Sequence, residues 1–339
     1  MSTPNSQAFD RAFAPVQAAI SEGRIPGAVL GLLEDGRLTL RAAGHAQLQP
    51  TPAPMREDTV FDLASLTKVI FTTTTILRLA EQGRLHLDDP LAKAIPDLRQ
   101  YDVANAPERR LTYRQCLAHR THLPAVEPLY TYGQDPQTLR AFILQREWRQ
   151  GPPVYSDNNF LLLGIAIERL TGQPLADQPL PPGFTFRPTP ADCAATEFCT
   201  WRNRILRGEV HDENAFAMGG AAGHAGLFGP AAALLGFARA LMQGELLSPA
   251  TLALLQTPIH SIQGTPRTLG WQLAAPGWPG GDCPPGTLGH TGFTGTGLWI
   301  TPTRHRAWTL LTNRVHPSRH TDSGIAALRQ TVGTLLNAA

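Results

Sequence analysis

The feature that most restricts the fold is a pair of strand–turn–strand segments at opposite ends of the chain. The first, GAVLGLLEDGRLTLRAAG, sets two apolar runs on either side of Asp35-Gly36, a strong hairpin signal. The second, GLWITPTRHRAWTLLTNR, again reads as two strands joined by a turn. Helical patterns lie outside both: Phe9, Phe13, Val16 and Ile20 before the first, Ile325, Leu328, Val332 and Leu335 after the second. Pro15 falls within the first pattern and is expected to kink or divide that helix. The middle reads differently. Leu66 to Gln82 is a long apolar-periodic helix stopped by Gly83. TYRQCLAHR, LRAFILQRE and NFLLLGIAIERLTG look helical as well, while Leu48 to Asp58 and QPLPPGFTFRPTP read as loop. Elements from both ends therefore enclose a mostly helical middle, the pattern of an α+β fold with a helical insertion.

Composition removes several function classes. Lys plus Arg is 29 against 27 acidic residues, with the basic residues scattered, so an electrostatic nucleic-acid binder is excluded. With 42% apolar residues the 339-residue chain is not disordered. No apolar run is long enough for a membrane span. The opening residues are polar and do not read as a signal peptide, so the expected location is the cytoplasm. Cys116, Cys193, Cys199 and Cys283 form no CxxC pair and read as reduced thiols. No metal motif of the HExxH or HxH kind occurs, and His119 and His122 read as loop packing, so no metal is expected. Neither a P-loop nor a GxGxxG after a strand is found, so no cofactor is expected. A small-molecule or peptide substrate remains.

Three short segments carry chemistry. Ser65-Leu66-Thr67-Lys68 is S-x-x-K where a helix should begin. Residues i and i+3 share a helix face, so the Lys68 amine can reach the Ser65 hydroxyl. A hydroxyl needs a base before it attacks, and a lysine serves if its pKa is depressed. Alone the motif also fits a capping serine beside a solvated lysine. Tyr155-Ser156-Asp157 follows a Pro-Pro loop and opens a helix. A phenol beside ammonium groups can act as general base, and the alternative is a surface tyrosine with Ser156 and Asp157 capping. His290-Thr291-Gly292 opens a strand after a Pro/Gly-rich loop. Gly292 would let substrate approach the strand, and the Phe293 amide, opposite that of Ser65, would complete an oxyanion hole.

Taken together and in this order, the three segments resemble the serine β-lactamase and penicillin-binding-protein superfamily, closest to its class C β-lactamase, D-amino-acid peptidase and esterase branch. IPGAVLGLLEDG, GRLHLDDPLAKAIPDL, LTYRQCLAHRTHLP and GGAAGHAGLFGPAAALLGFA extend the likeness over nearly the whole chain. The resemblance implies a mainly antiparallel sheet flanked by the terminal helices, with a helical domain beside it. The expected division is 1–64 with 215–339 for the sheet domain, 65–214 for the helical one, and a cleft between. It implies Ser65 as acylated nucleophile, Lys68 and Tyr155 in proton transfer, the Ser65 and Phe293 amides as oxyanion hole, and His290 and Thr291 lining the substrate site.

Two departures bear on the substrate. Asp157 stands where many members have Asn, and an ionised carboxylate cannot donate to a substrate carbonyl. It could instead hold Lys68 by charge, which favours Tyr155 as base. His290 stands where β-lactamases usually have Lys, and a neutral imidazole attracts a carboxylate less. Both fit a peptidase, amidase or esterase better than a β-lactamase. The segment RGEVHDENAFAMGGAAGHAGLFGP gathers His211, Asp212, Glu213 and His224, read either as a substrate-recognition wall or as a self-bonded loop. It resembles a subgroup described as D-Ala-D-Ala carboxypeptidase-like proteins or N-acetylmuramyl-L-alanine amidases. The expected activity is hydrolysis of an amide or ester of a cell-wall-derived or D-amino-acid compound. A promiscuous carboxylesterase and a penicillin-binding sensor without turnover are the alternatives. Oligomeric state is not legible.

Overall fold

In a computed structural model, which describes residues 4–133 and 135–338, the elements follow in this order. First come α1 (Pro4–Ser21), β1 (Gly27–Glu34), β2 (Arg37–Gln47), β3 (Ala53–Pro54) and β4 (Phe61–Asp62). The helices α2 (Thr74–Glu81), α3 (Tyr113–Leu117), α4 (Pro136–Gln145) and α5 (Asp157–Thr171) come next. Then follow β5 (Ala195–Cys199), β6 (Arg204–Arg207), α6 (Glu213–Ala217), β7 (Phe228–Gly229), α7 (Ala231–Met242) and α8 (Pro249–Leu255). The chain finishes with β8 (His260–Ile262), β9 (Thr265–Arg267), β10 (Gln272–Leu273), β11 (Leu288–Thr291), β12 (Thr296–Thr301), β13 (Arg306–Thr312) and α9 (Ile325–Asn337).

Nine strands form one sheet in the order β3-β2-β1-β13-β12-β11-β10-β9-β8, and every pairing in it is antiparallel. The two ends of the chain meet at its centre, where Leu30 of β1 stands opposite Leu310 of β13. The hairpin joining β1 to β2 turns at Asp35 and Gly36, both left-handed (φ 48° and 76°), as a two-residue turn of that twist requires. The unbroken apolar run of β1 has a physical reason: both faces are covered. Ala28, Leu30 and Leu32 enter one core with Phe9, Phe13 and Val16 of α1 and Leu328, Val332 and Leu336 of α9. Val29 and Leu33 point the other way, into a second core shared with α7 and the helical middle. Alternation along a strand divides its side chains between the two layers.

Two expectations need correction. The first helix runs through Pro15 undivided, from Pro4 to Ser21. An interior proline costs about 3 kcal/mol, and burial of Phe9, Ala12, Phe13, Val16 and Ala19 against α9 and the sheet offsets that cost. The helix expected from Leu66 begins instead with a π-helical turn, Lys68–Thr73, before α2. Thr72 Oγ1 donates to Gly223 O at 2.6 Å and Thr74 Oγ1 to Val69 O at 3.0 Å. Such turns widen a helix locally and concentrate at functional sites. No described helix is long and apolar enough to cross a membrane.

Candidate active site

The path to Ser65 is built by a strained backbone and a buried acid. Ala64 holds a left-handed conformation (φ 47°), uncommon for a residue with a Cβ. Asp62, at the end of β4, fixes it: Oδ1 accepts from the Ala64 N–H at 2.8 Å and Oδ2 from the His211 N–H at 2.6 Å. Burial raises the Asp62 pKa, and these bonds only partly oppose it. Ser65 emerges from this bend with Lys68 three residues on. The Lys68 ammonium is fully buried, donates two hydrogen bonds and makes one ion pair, with three oxygens around it. These are Ser65 Oγ at 2.8 Å, Asp157 Oδ1 at 2.8 Å and His224 O at 3.2 Å. Burial disfavours its charge, but Asp157 and then Tyr155 outweigh burial and raise the pKa. Lys68 is therefore held as a cation.

Tyr155 and Asp157 are set by the segment 119–125. The Ser156 N–H donates to His119 Nδ1 at 3.0 Å, Ser156 Oγ to Pro124 O at 2.6 Å, and the Asp157 N–H to Ala125 O at 2.8 Å. His119 thus acts as a brace, with its ring 4.5 Å from that of Tyr155, while His122 turns away to Glu108 at 3.4 Å. The Lys68 Nζ lies 5.1 Å from the centre of the Tyr155 ring. His290 borders the same ring at 6.0 Å and gives Nδ1 to Thr291 O at 2.9 Å. Burial, then the nearby charges of Arg267 and Lys68, hold both His119 and His290 well below the usual imidazole pKa, so both are neutral.

A cleft of about 470 Å³ joins these groups; Ser65, Tyr155, Asp157, His211, Asp212, Glu213, His290, Thr291 and Phe293 all line it. Among the described residues neither the Ser65 N–H nor the Phe293 N–H has a protein acceptor. Two residues expected at the substrate site are not among those that line the cleft. His224 is buried behind Lys68, its Nε2 2.9 Å from Asp212 Oδ1 and its carbonyl on the ammonium. Gly292 faces protein: a Cβ there would stand 2.1 Å from Thr296 Oγ1 and 2.6 Å from Leu63 O, so close packing demands the glycine. Asp157, Asp212 and His224 bring potential metal ligands within 4.8 Å of one another. The Lys68 ammonium, bonded to Asp157 and to the His224 carbonyl, already supplies the positive charge there.

Arg267 was invisible to pattern reading. It ends the three-residue strand β9, lines the cleft, and lies 4.9 Å over the Tyr155 ring. Its Nε and Nη1 are buried without hydrogen-bond partners. Arg319 also lines the cleft but is bonded to Glu197 and Glu213, and Glu197 lies 3.3 Å from His211 Nε2. Burial opposes the Glu197 charge, but His211 and Arg319 prevail and lower its pKa to about 2. A depressed carboxylate contributes stability above its unfolded pKa of about 4.3 and loses it as pH falls through the folded value. Acid melts of Glu197→Gln should therefore show a flatter loss of Tm between roughly pH 4 and 2 than wild type; superimposable slopes would remove Glu197 from the wall's support.

The sequence pattern of the beta-lactamase family matches residues 9–332. An N-acetylmuramyl-L-alanine amidase of Bacillus subtilis (strain 168) is 31% identical, covering 86% of this chain and 78% of its own. An Escherichia coli (strain K12) protein provisionally named a D-alanyl-D-alanine carboxypeptidase is 31% identical, covering 86% and 79%. Among solved structures, a class C beta lactamase from Rhodobacter sphaeroides superposes with TM-score 0.73 at 22% identity over 96% of this chain and 99% of that one. A beta-lactamase from Sulfitobacter sp. EE-36 gives 0.76 at 20% identity over 100% of both.

Proposed function

Because the chain belongs to the beta-lactamase family and its relatives carry hydrolase names, we propose that it cleaves an amide or ester through an acyl-enzyme on Ser65. The observation that carries this reading is the bond from Lys68 Nζ to Ser65 Oγ at 2.8 Å, with Asp157 on the same ammonium at 2.8 Å. A lysine held charged cannot take a proton, so Tyr155 is the group assigned to receive the Ser65 proton. Oγ bonds to the substrate carbonyl carbon, and the Ser65 and Phe293 amides hold the resulting oxyanion. As the tetrahedral species collapses, the C–N or C–O bond breaks and Tyr155 passes its proton to the leaving group. Water then attacks the ester, gives a proton to Tyr155, and Oγ departs with it.

The substrate class follows from charge. His290 is neutral, whereas Arg267 is a cation that lines the cleft and whose buried Nε and Nη1 have no hydrogen-bond partner. A buried guanidinium without an acid favours a ligand carboxylate, held by charge-assisted bonds. This supports a peptide with a free carboxyl end, in line with the carboxypeptidase name of one relative. Arg267→Gln is expected to raise KM for such a peptide about 10- to 100-fold and to leave KM for its C-terminal amide unchanged. An equal rise for both would deny Arg267 this contact. The wider test is a screen of purified protein against D-alanyl peptides, muramyl peptides, p-nitrophenyl esters and a chromogenic cephalosporin. Turnover of the first two is expected; turnover of esters alone would make the protein a general esterase.

A further inference from the structure

The peptide group joining Gly292 to Phe293 has two ends. Its N–H, on Phe293, is the donor assigned to the oxyanion. Its oxygen, Gly292 O, accepts two bonds, from the neutral Gly295 N–H at 3.2 Å and from the charged Arg329 Nη2 at 3.2 Å, and the same Arg329 nitrogen reaches Thr296 O at 2.7 Å. Those two carbonyls flank a loop already closed by the Gly292 N–H on Thr296 O at 2.8 Å. From this arrangement we infer that Arg329, on α9 outside the cleft, is a positioning residue that fixes and polarises the oxyanion-binding peptide. The inference rests on the acyl-enzyme reading above.

Three observations support it. A peptide's N–H and C=O are conjugated, so a donor on the oxygen makes the N–H a stronger donor, and a charged donor does this more than a neutral one. Arg329 also carries its charge at a cost. Its Nε is buried without a partner, and burial and then repulsion from Arg314 lower its pKa to about 9, with no acid offsetting them. A mere brace would need no charge, since neutral donors satisfy carbonyls equally well. Finally, the neighbouring peptide is held separately: Arg314 Nε donates to Phe293 O at 2.9 Å and its guanidinium lies 4.8 Å over the Phe293 ring. Two arginines thus restrain consecutive carbonyls, and of their two charges only that of Arg329 is bonded to the peptide that carries the Phe293 N–H, on an oxygen that the Gly295 N–H already satisfies. When charge develops on the substrate oxygen, the Phe293 N–H lies between it and the guanidinium, and a preorganised cation so placed lowers the barrier without reorganising.

Isotope-edited infrared spectra of the acyl-enzyme test this, because the stretch of a ¹³C-labelled acyl carbonyl reports the strength of the hydrogen bonds on its oxygen. In Arg329→Gln the band is expected at higher frequency than in wild type. With it, kcat should fall about tenfold, less than the ~10²–10³ lost when a whole donor is removed, and KM should not change. A boronic acid that forms a tetrahedral adduct on Ser65 should lose affinity by the same factor as kcat. Arg329→Lys keeps the charge with one smaller donor and should give an intermediate band; it decides the matter if the Gln variant does not fold. Bands at the wild-type position in the folded variants would overturn the inference and leave the acyl-enzyme intact. Absence of any Ser65 acyl band in wild type would instead remove the reading on which it rests.

Discussion

Ser65→Ala is expected to abolish hydrolysis and leave the fold unchanged. The hydroxyl accepts one bond from Lys68, and its loss leaves that ammonium with Asp157 and the His224 carbonyl. The core around it, with Leu63, Leu66 and Val69 buried, makes no use of the oxygen. Stability should therefore change by less than about 1 kcal/mol. Activity should fall by about 10⁶-fold, the scale seen when a nucleophile acting as part of a unit is removed. The remaining rate would come from the amides and from substrate binding alone. Circular dichroism and a melting curve, run beside a turnover assay, separate the two effects. A variant that keeps wild-type turnover would show that bond cleavage does not pass through this hydroxyl.

Lys68→Met is expected to damage both activity and stability, and the contrast with Ser65→Ala is informative. The lysine is fully buried and neutralises Asp157 at 2.8 Å. Removing one partner of a buried pair strands the other, at a cost of about 3 kcal/mol. The rate should fall at least ~10³-fold, since the Ser65 hydroxyl and Tyr155 lose the cation beside them during proton transfer. The pH dependence has a defined sign. The Lys68 pKa is raised in the fold. Its contribution to stability is complete below the unfolded lysine pKa of about 10.4 and is lost as pH rises through the higher folded value. The melting difference between wild type and Lys68→Met should then stay constant from pH 6 to 9, in the range set by that pKa, and shrink only in stronger alkali. A difference that already vanishes near pH 8 would mean that Lys68 is neutral in the fold.

What was legible in the sequence was whatever has a local signature. Asp35-Gly36 sets a hairpin because few dipeptides accept two left-handed residues. S-x-x-K, Y-S-D and H-T-G hold chemistry within three or four residues, and the cleft brings Ser65, Tyr155, Asp157, His290 and Thr291 together, with Lys68 just behind. Groups that work across the fold left no such trace. Arg267 sits in a three-residue strand with no apolar pattern, and its meaning comes from making no ion pair among the described residues while two of its buried donors lack partners. Asp62 belongs to no motif, yet it accepts from the strained Ala64 and from His211, 149 residues further along the chain. Glycine in a strand signals close approach, and at Gly292 the group that approaches the Cβ position is Thr296 Oγ1. His224 was grouped with the cleft by its polar neighbours, whereas it supports Lys68 from within the protein. Pro15 shows the limit of local rules: packing of one helix face against two layers outweighs an interior proline.

The central claim is that Ser65 is the atom that takes up the acyl group. Labelling the intact protein with a fluorophosphonate, followed by digestion and mass spectrometry, tests it most directly. The account predicts one phosphonyl group per chain, located on Ser65, with loss of turnover in proportion to labelling. Protein that turns over its substrate at the full rate after labelling, or that carries the label elsewhere with Ser65 unmodified, would contradict it.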